Sequence, residues 1–346
     1  MYESYNEVFR QGESLSRTYD EIIKERYQIQ RFINDNEYDE VIFIACGSSY
    51  WLSLSACMTL QERLKKKCSA VKSGDIVMNK DYYGKVFRNP LVIAPSRSGS
   101  TSETLMALDF FRTMYGCKVL SLVEYSNAPI LSRSDMVLEF PWAKETSVCQ
   151  TRSFSNLYMA LVMVAAIVGE DEALIKDIKN YLEHFDSHSK HAENMINCIN
   201  SNYPEFKTLV TLGNGKLYGV CIGGAYVNIE MAQLPSNYYG TLEFRHGPIV
   251  MAGAECLIFM FSGGNARELE ESMAKEIRER AAKIAVICEE ANFRNANYCF
   301  CLGRNAAPEI VGLFGAMVLQ GFAHLKAILS DIDPDKPKGL VPWISI

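Results

Sequence analysis

Leu91-Val-Ile-Ala-Pro-Ser-Arg-Ser-Gly-Ser-Thr-Ser-Glu103 decides the fold of this chain. Its apolar start, 91–94, reads as a buried strand, and the small and polar residues after it open a helix. Apolar runs of the same kind stand at 41–45, 119–123 and 136–140, the first two again followed by a polar turn and a helical stretch. That alternation predicts a parallel sheet covered by helices on both faces. A helix-period stretch at 156–168 closes this half, and residues 170–202 keep helical spacing with little strand character.

The second half repeats the pattern. Apolar runs at 208–212, 256–261 and 284–288 lead into Gly213-Asn-Gly, Ser262-Gly-Gly and Glu289-Glu-Ala. Gly47 and Gly213, Leu91 and Cys256, and Val119 and Ile284 hold one separation to within a residue, which points to a duplicated domain. The predicted class is α/β, with two doubly wound parallel-sheet domains in tandem about a pseudo-twofold. Expected boundaries are an N-terminal helical segment at 1–35, a first domain at 36–170, a helical connector at 171–202, a second domain at 203–330 and a tail at 331–346.

Composition narrows the function classes. The 346 residues are 48% hydrophobic and 22% charged with net charge −6, which fits compact domains and leaves no basic face for nucleic acid. The apolar run 157–168 is too short to span a bilayer, and the first ten residues carry no apolar run of an export signal, so a cytoplasmic protein without a membrane partner is expected. Eleven scattered cysteines then read as reduced thiols. Cys299-x-Cys301 has the spacing of a buried strand rather than a metal pair, and His184, His188 and His191 share a helix face that reads as solvated, so no metal is expected. Gly213-Asn-Gly-Lys-Leu-Tyr-Gly219 misses the dinucleotide spacing by one residue, and no cofactor is expected.

Four segments carry chemistry. Ligands of open α/β sheets bind at the carboxyl ends of strands, where free N–H groups at a helix start suit a phosphate. Ser96, Ser98, Ser100 and Thr101 offer hydroxyls there, and Gly99 lets the backbone approach closely. A capping box between Ser100 and Glu103 accounts for one or two of these residues, not for the whole set. Ala45-Cys-Gly-Ser-Ser-Tyr50 is a second strand-to-helix turn; alone it reads as an ordinary N-cap, and beside the serine loop it makes the other wall of a sugar-phosphate pocket. Glu145-Thr-Ser-Val-Cys-Gln-Thr-Arg152 precedes an apolar helix and by itself decides nothing. Glu230 stands in a stretch, 219–234, that otherwise reads as a buried helix, where burial raises a carboxyl pKa and makes a proton acceptor; an ion pair with an arginine is the alternative. His246 follows sixteen residues later and precedes Gly247-Pro248, which stops regular structure.

Together these residues resemble the SIS (sugar isomerase) superfamily: the isomerase half of glucosamine-6-phosphate synthase, phosphosugar isomerases and fructosamine-6-phosphate deglycases. The likeness runs over nearly all of the chain beyond residue 35, and implies two flavodoxin-like three-layer αβα domains. It implies sugar-phosphate binding by Ser48, Ser49, Ser96, Arg97, Ser98 and Thr101, with Val148 and Gln150 lining the sugar chain. Glu230 matches the family's proton-transfer glutamate. His246 matches the histidine that opens the sugar ring or protonates a leaving group, reaching the pocket from the other subunit of a homodimer.

Four departures bear on the reaction. The glutamine-hydrolysing domain of the synthase has no counterpart, and Tyr2 stands where its cysteine nucleophile would be. The tail lysine that forms an imine with fructose 6-phosphate aligns with Pro342, and Lys336 or Lys338 is the nearest substitute. Arg97 replaces a glutamine and Ser100 a glutamate, both adding positive character near the phosphate or near a negatively charged substituent. Gln150 replaces a serine. These losses favour a substrate that already carries nitrogen, so the expected activity is that of a fructosamine-6-phosphate deglycase. The alternatives are an aldose–ketose phosphosugar isomerase, a synthase half separated from its glutaminase, and a non-catalytic sugar-phosphate sensor. One sugar site per chain is expected, in the first domain.

Overall fold

The computed structural model describes residues 2–341. Its contacts divide the chain into two compact units, each built on one sheet. Glu13–Glu145 and Arg152–Lys176 form the unit of the first sheet; the chain up to Gly12, Thr146–Thr151 and Asp177–Leu340 form the unit of the second.

In the first sheet, β1 (Glu40–Ala45), β2 (Lys67–Lys72), β3 (Pro90–Ser96), β4 (Val119–Val123) and β5 (Met136–Glu139) lie in the order β2-β1-β3-β4-β5, all parallel. Every residue of β1, β3 and β4 is buried, because helices cover both faces of a doubly wound sheet. The order reverses between β1 and β3, so the turns after these two strands diverge and leave a crevice at the carboxyl edge. Ile42, Ile44, Val92, Ala94 and Val119 pack on Leu108 and Phe111 of the helix Ser102–Tyr115.

The second sheet repeats that topology. β6 (Thr208–Leu212), β7 (Ser236–Tyr239), β8 (Cys256–Phe261), β9 (Lys283–Cys288) and β10 (Tyr298–Cys301) lie in the order β7-β6-β8-β9-β10, again all parallel. The α/β class and the tandem duplication read from the sequence are therefore both present. Helices at Glu3–Phe9, Gly12–Lys24 and Arg26–Asn34 precede the first sheet, and Glu172–Glu183 and Phe185–Asn202 lie between the two halves.

Two expectations need correction. The strand over Cys299 and Cys301 forms, but as the sheet's edge: only Phe300 is fully covered and both cysteines are partly exposed. The histidine face of Phe185–Asn202 is not solvated throughout. His188 stacks on the buried Tyr181 at 5.3 Å and lies 5.9 Å from Phe314, and burial with Arg304 nearby pushes its pKa down to about 4. The sequence also gave no prominence to Pro308–Leu329, a helix long and apolar enough to cross a membrane. Its most apolar 18-residue window is 89% buried inside the protein, and the helix packs along Tyr218–Ala232.

Candidate sugar-phosphate site

The serine loop leaves the end of β3 and enters the helix Ser102–Tyr115. Gly99 turns it at φ +60, and a Cβ there would stand 2.6 Å from the Ala128 Cβ and 2.7 Å from the Ile130 Cγ2, so only glycine fits. The loop is folded on itself: the Gly99 N–H donates to Ser96 Oγ at 3.0 Å, and the Ser100 N–H to Ser98 Oγ at 3.2 Å. Thr101 is the N-cap and makes no side-chain cap bond, so the capping box of Ser100 with Glu103 does not form. The cap residue of this helix start thus contributes no side-chain bond, and the N–H groups of a helix start suit an anion.

Ser48 and Ser49 begin the helix Gly47–Leu64 at the end of the neighbouring strand β1. The two turns meet where the Thr104 hydroxyl donates to Cys46 Sγ at 3.6 Å and pairs with Ser73 Oγ at 3.1 Å. Ser96, Arg97, Ser98 and Ser49 are buried, while Ser48 and Thr101 are half-buried. A cavity of about 400 Å³ opens beside this loop, lined by Ser98, Ser100, Tyr125, Ser126, Asn127 and Lys144.

Beneath the loop lies a charged cluster that the sequence reading missed. Arg97 pairs with Glu145 at 3.6 Å, both side chains buried. Glu124, one residue past β4, is fully buried, and neither of its carboxylate oxygens has a hydrogen-bond partner among the described residues. Burial first, then the charge of Glu145, pushes the Glu124 pKa well up, against the opposing pull of Arg97, Arg152 and Lys144. Arg97 thus has a counter-charge, Glu145, within the serine loop's own unit. The exposed cation at the cavity wall is Lys144, whose ammonium lies 4.4 Å from the Tyr125 ring. A signal for Glu124 did exist: it is the acid directly after an apolar strand run, at the strand end where α/β sheets place function.

The remaining expected residues belong to the second unit. Val148 and Gln150 are partly buried, and the Gln150 Oε1 has no hydrogen-bond partner among the described residues. The Val148 N–H donates to the Asp335 carbonyl at 2.9 Å. Asp335 in turn takes the backbone N–H groups of Glu3 and Ser4, each at 2.8 Å, and the Ser4 hydroxyl at 2.5 Å. Glu230 is not buried as expected. It sits with Ile229 on the one face of Tyr218–Ala232 that the rest of the unit leaves partly open. Three residues on, Gln233 donates to the Lys338 carbonyl at 3.3 Å, and Lys336 and Lys338 are exposed. His246 is exposed and follows a short 3-10 turn, Glu243–Arg245, with Gly247 at φ +112 behind it. Pro342, the aligned position of the family's lysine, lies outside the described residues.

The description of the SIS domain matches the chain twice, at residues 36–168 and 205–330. The chain belongs to the SIS domain family. Among relatives, this SIS chain is 22% identical over 356 aligned positions to a glutamine–fructose-6-phosphate aminotransferase of Shewanella oneidensis, covering 98% of itself and 58% of that protein. It spans only a little over half the length of the curated relatives it matches. A glucosamine-6-phosphate deaminase of Thermotoga maritima superposes with a TM-score of 0.85 at 24% identity, over 99% of this chain and all of that one. A tagatose-6-phosphate ketose/aldose isomerase of Escherichia coli superposes with a TM-score of 0.80 at 19% identity, over 99% and 97% of the two chains.

The two SIS domains differ at their carboxyl edges. Where the first carries the serine loop, the second carries Ser262, whose hydroxyl donates to Glu270 at 2.5 Å. Lys216, in the turn after β6, pairs with the buried Glu309 at 3.0 Å. Carboxylates of the chain itself thus hold the donors that in the first domain face an open cavity.

Proposed function

We propose that this SIS chain binds a ketose or aminated-ketose 6-phosphate and acts as a fructosamine-6-phosphate deglycase. The observation that carries the reading is the serine loop: hydroxyls of Ser98 and Ser100 at a cavity wall, over a helix start whose cap makes no side-chain bond. The phosphate is taken by that loop with Ser48, Ser49, Ser96 and Thr101, and Val148 and Gln150 line the sugar chain. Glu230 removes a C1 proton from the open-chain Amadori compound, giving an enaminol, and returns it to C2. The resulting C1 imine takes up water and releases glucose 6-phosphate and the amine. His246 serves as the acid for ring opening or for the departing amine, supplied by the second copy of a homodimer. Partial exposure of Glu230 suits this role, since a proton-transfer group must reach substrate. Leu242 and Val250, exposed on either side of His246, are apolar surface that a second copy would cover.

Incubation with fructoselysine 6-phosphate, followed by NMR, tests the reading: glucose 6-phosphate and lysine are the expected products. Conversion of fructose 6-phosphate with no release of lysine would replace the deglycase by an aldose–ketose isomerase. Saturable binding of both compounds with turnover of neither would make the protein a sensor.

A further inference from the structure

The last two strands of the second sheet bring three thiols together. Cys288 ends β9, and Cys299 and Cys301 lie on β10, where successive side chains of one face are two residues apart. The parallel register sets Cys301 directly opposite Cys288. Neighbouring strands run about 4.8 Å apart, inside the Cα separation that a disulfide spans. Cys299 Sγ lies 3.4 Å from Cys288 Sγ, so the sulfurs occupy one small volume. Cys288 is buried, while Cys301 is partly exposed and open to a small solute. The fold does not require this arrangement. The corresponding edge strand of the first sheet, Met136–Glu139, carries no cysteine on the same topology.

We propose that Cys301 and Cys288 form a peroxide-reactive dithiol, in which Cys301 is the attacking sulfur and Cys288 resolves it into a cross-strand disulfide. The Cys301 thiolate attacks one oxygen of hydrogen peroxide and the O–O bond breaks. The leaving hydroxide takes a proton to become water, and the sulfur becomes a sulfenic acid. Cys288 gives up its proton and attacks that sulfur; the S–O bond breaks, the second hydroxide leaves with the proton as water, and the S–S bond forms. Two thiols are oxidised and one peroxide is reduced to two waters. The surroundings of Cys301 favour its ionised form. The neighbouring Cys288 first, then Cys299, and the Gly303 N–H that donates to its sulfur at 3.1 Å hold its pKa well below the usual thiol range; in the thiol form its S–H reaches the Glu289 carbonyl at 3.5 Å. Cys288, hydrogen-bonded by the other two sulfurs and buried, is pushed the opposite way, which suits a resolving thiol that waits for the sulfenic acid.

Trypsin separates the partners, since cleavage after Lys283, Arg294 and Arg304 places Cys288 in peptide 284–294 and Cys299 with Cys301 in peptide 295–304. The full-length protein is treated with one equivalent of hydrogen peroxide, blocked with N-ethylmaleimide and digested without reductant. The two peptides are expected as one linked species that dithiothreitol separates, kept in Cys299→Ser and lost in Cys301→Ser. In untreated protein at pH 6, Cys301 is expected to react with iodoacetamide about tenfold faster than the exposed Cys198. A link that survives Cys301→Ser, a loop closed within peptide 295–304, or no link at all would overturn the proposal. Labelling of Cys301 no faster than Cys198 would overturn it without recourse to any variant.

Discussion

Arg97 Nη1 lies 3.6 Å from Glu145 Oε2, in a pair whose side chains are 8% and 1% exposed. The arginine of the serine loop therefore has its counter-charge within the same unit. Removing one member takes the nearest counter-charge from the other, although the Ser153 hydroxyl still donates to Glu145. Arg97→Gln leaves Glu145 beside the buried Glu124 and is expected to destabilise the fold by about 3–5 kcal/mol, whereas Arg97→Gln with Glu145→Gln should recover most of that loss. Urea unfolding of the two single variants and the double variant checks the cycle. Additive losses would mean that the pair is not coupled.

Glu124 makes stability fall as pH rises. Its folded pKa is raised, so the folded state keeps a proton that the unfolded chain has given up. From the unfolded carboxyl range upward, each pH unit removes about 1.4 kcal/mol until the folded group ionises. The contribution of Glu124 is thus complete below the unfolded pKa and is lost with increasing pH. In Glu124→Gln, the decline that begins above the unfolded carboxyl range should be absent, so that it remains when the variant's stability curve is subtracted from the wild type's; parallel curves would show that Glu124 ionises freely in the fold.

His188 and His324 act in the opposite sense. Burial is the main cause that pushes both pKa values down to about 4, against a small upward pull of Asp335 on His324. The unfolded chain binds protons that the fold excludes, so stability drops as pH falls from about 6.5 towards 4, by about 1.4 kcal/mol per unit for each histidine. His324→Gln should halve that slope in denaturant titrations at pH 4.5, 5.5 and 6.5. An unchanged slope would remove His324 from the account.

Gly99→Ala places a methyl group 2.6 Å from the Ala128 Cβ at a positive φ. Backbone strain and the clash together should destabilise by about 2 kcal/mol or more and weaken sugar-phosphate binding. Calorimetric titration with glucose 6-phosphate reads the second effect. Wild-type affinity with lowered stability would show that the loop's shape does not serve the anion.

Glu230→Gln should lower deglycase turnover by about 10² to 10⁴ with little change in stability, as expected for a partly exposed acid–base group. If His246 comes from a second copy, mixing Glu230→Gln with His246→Ala after denaturation and refolding should restore about a quarter of wild-type activity, because half of the dimers carry one intact site. No restoration at all would place both groups within one chain or outside the reaction.

The alternating runs at Leu91, Val119, Cys256 and Ile284 made both sheets legible, because a strand buried on both faces must be apolar throughout. β2 and β7 were not legible. Lys67-Cys-Ser-Ala-Val-Lys72 and Ser236-Asn-Tyr-Tyr239 lie at sheet edges, and their patterns are mostly half-buried, with no apolar run to announce them. The serine loop was visible because its hydroxyls exceed what a helix cap uses.

The sequence by itself determined the duplicated α/β fold, the strand end that carries hydroxyls, and the family to which both halves belong. Tertiary structure alone decided which charges answer one another. Glu124, Glu145 and Arg97 are separated along the chain, and only the convergence of strand ends buries them together. Hydrophobic periodicity reports which side of an element faces the core, one segment at a time. The state of a buried charge depends instead on the few ångströms around it, which segments distant in sequence supply.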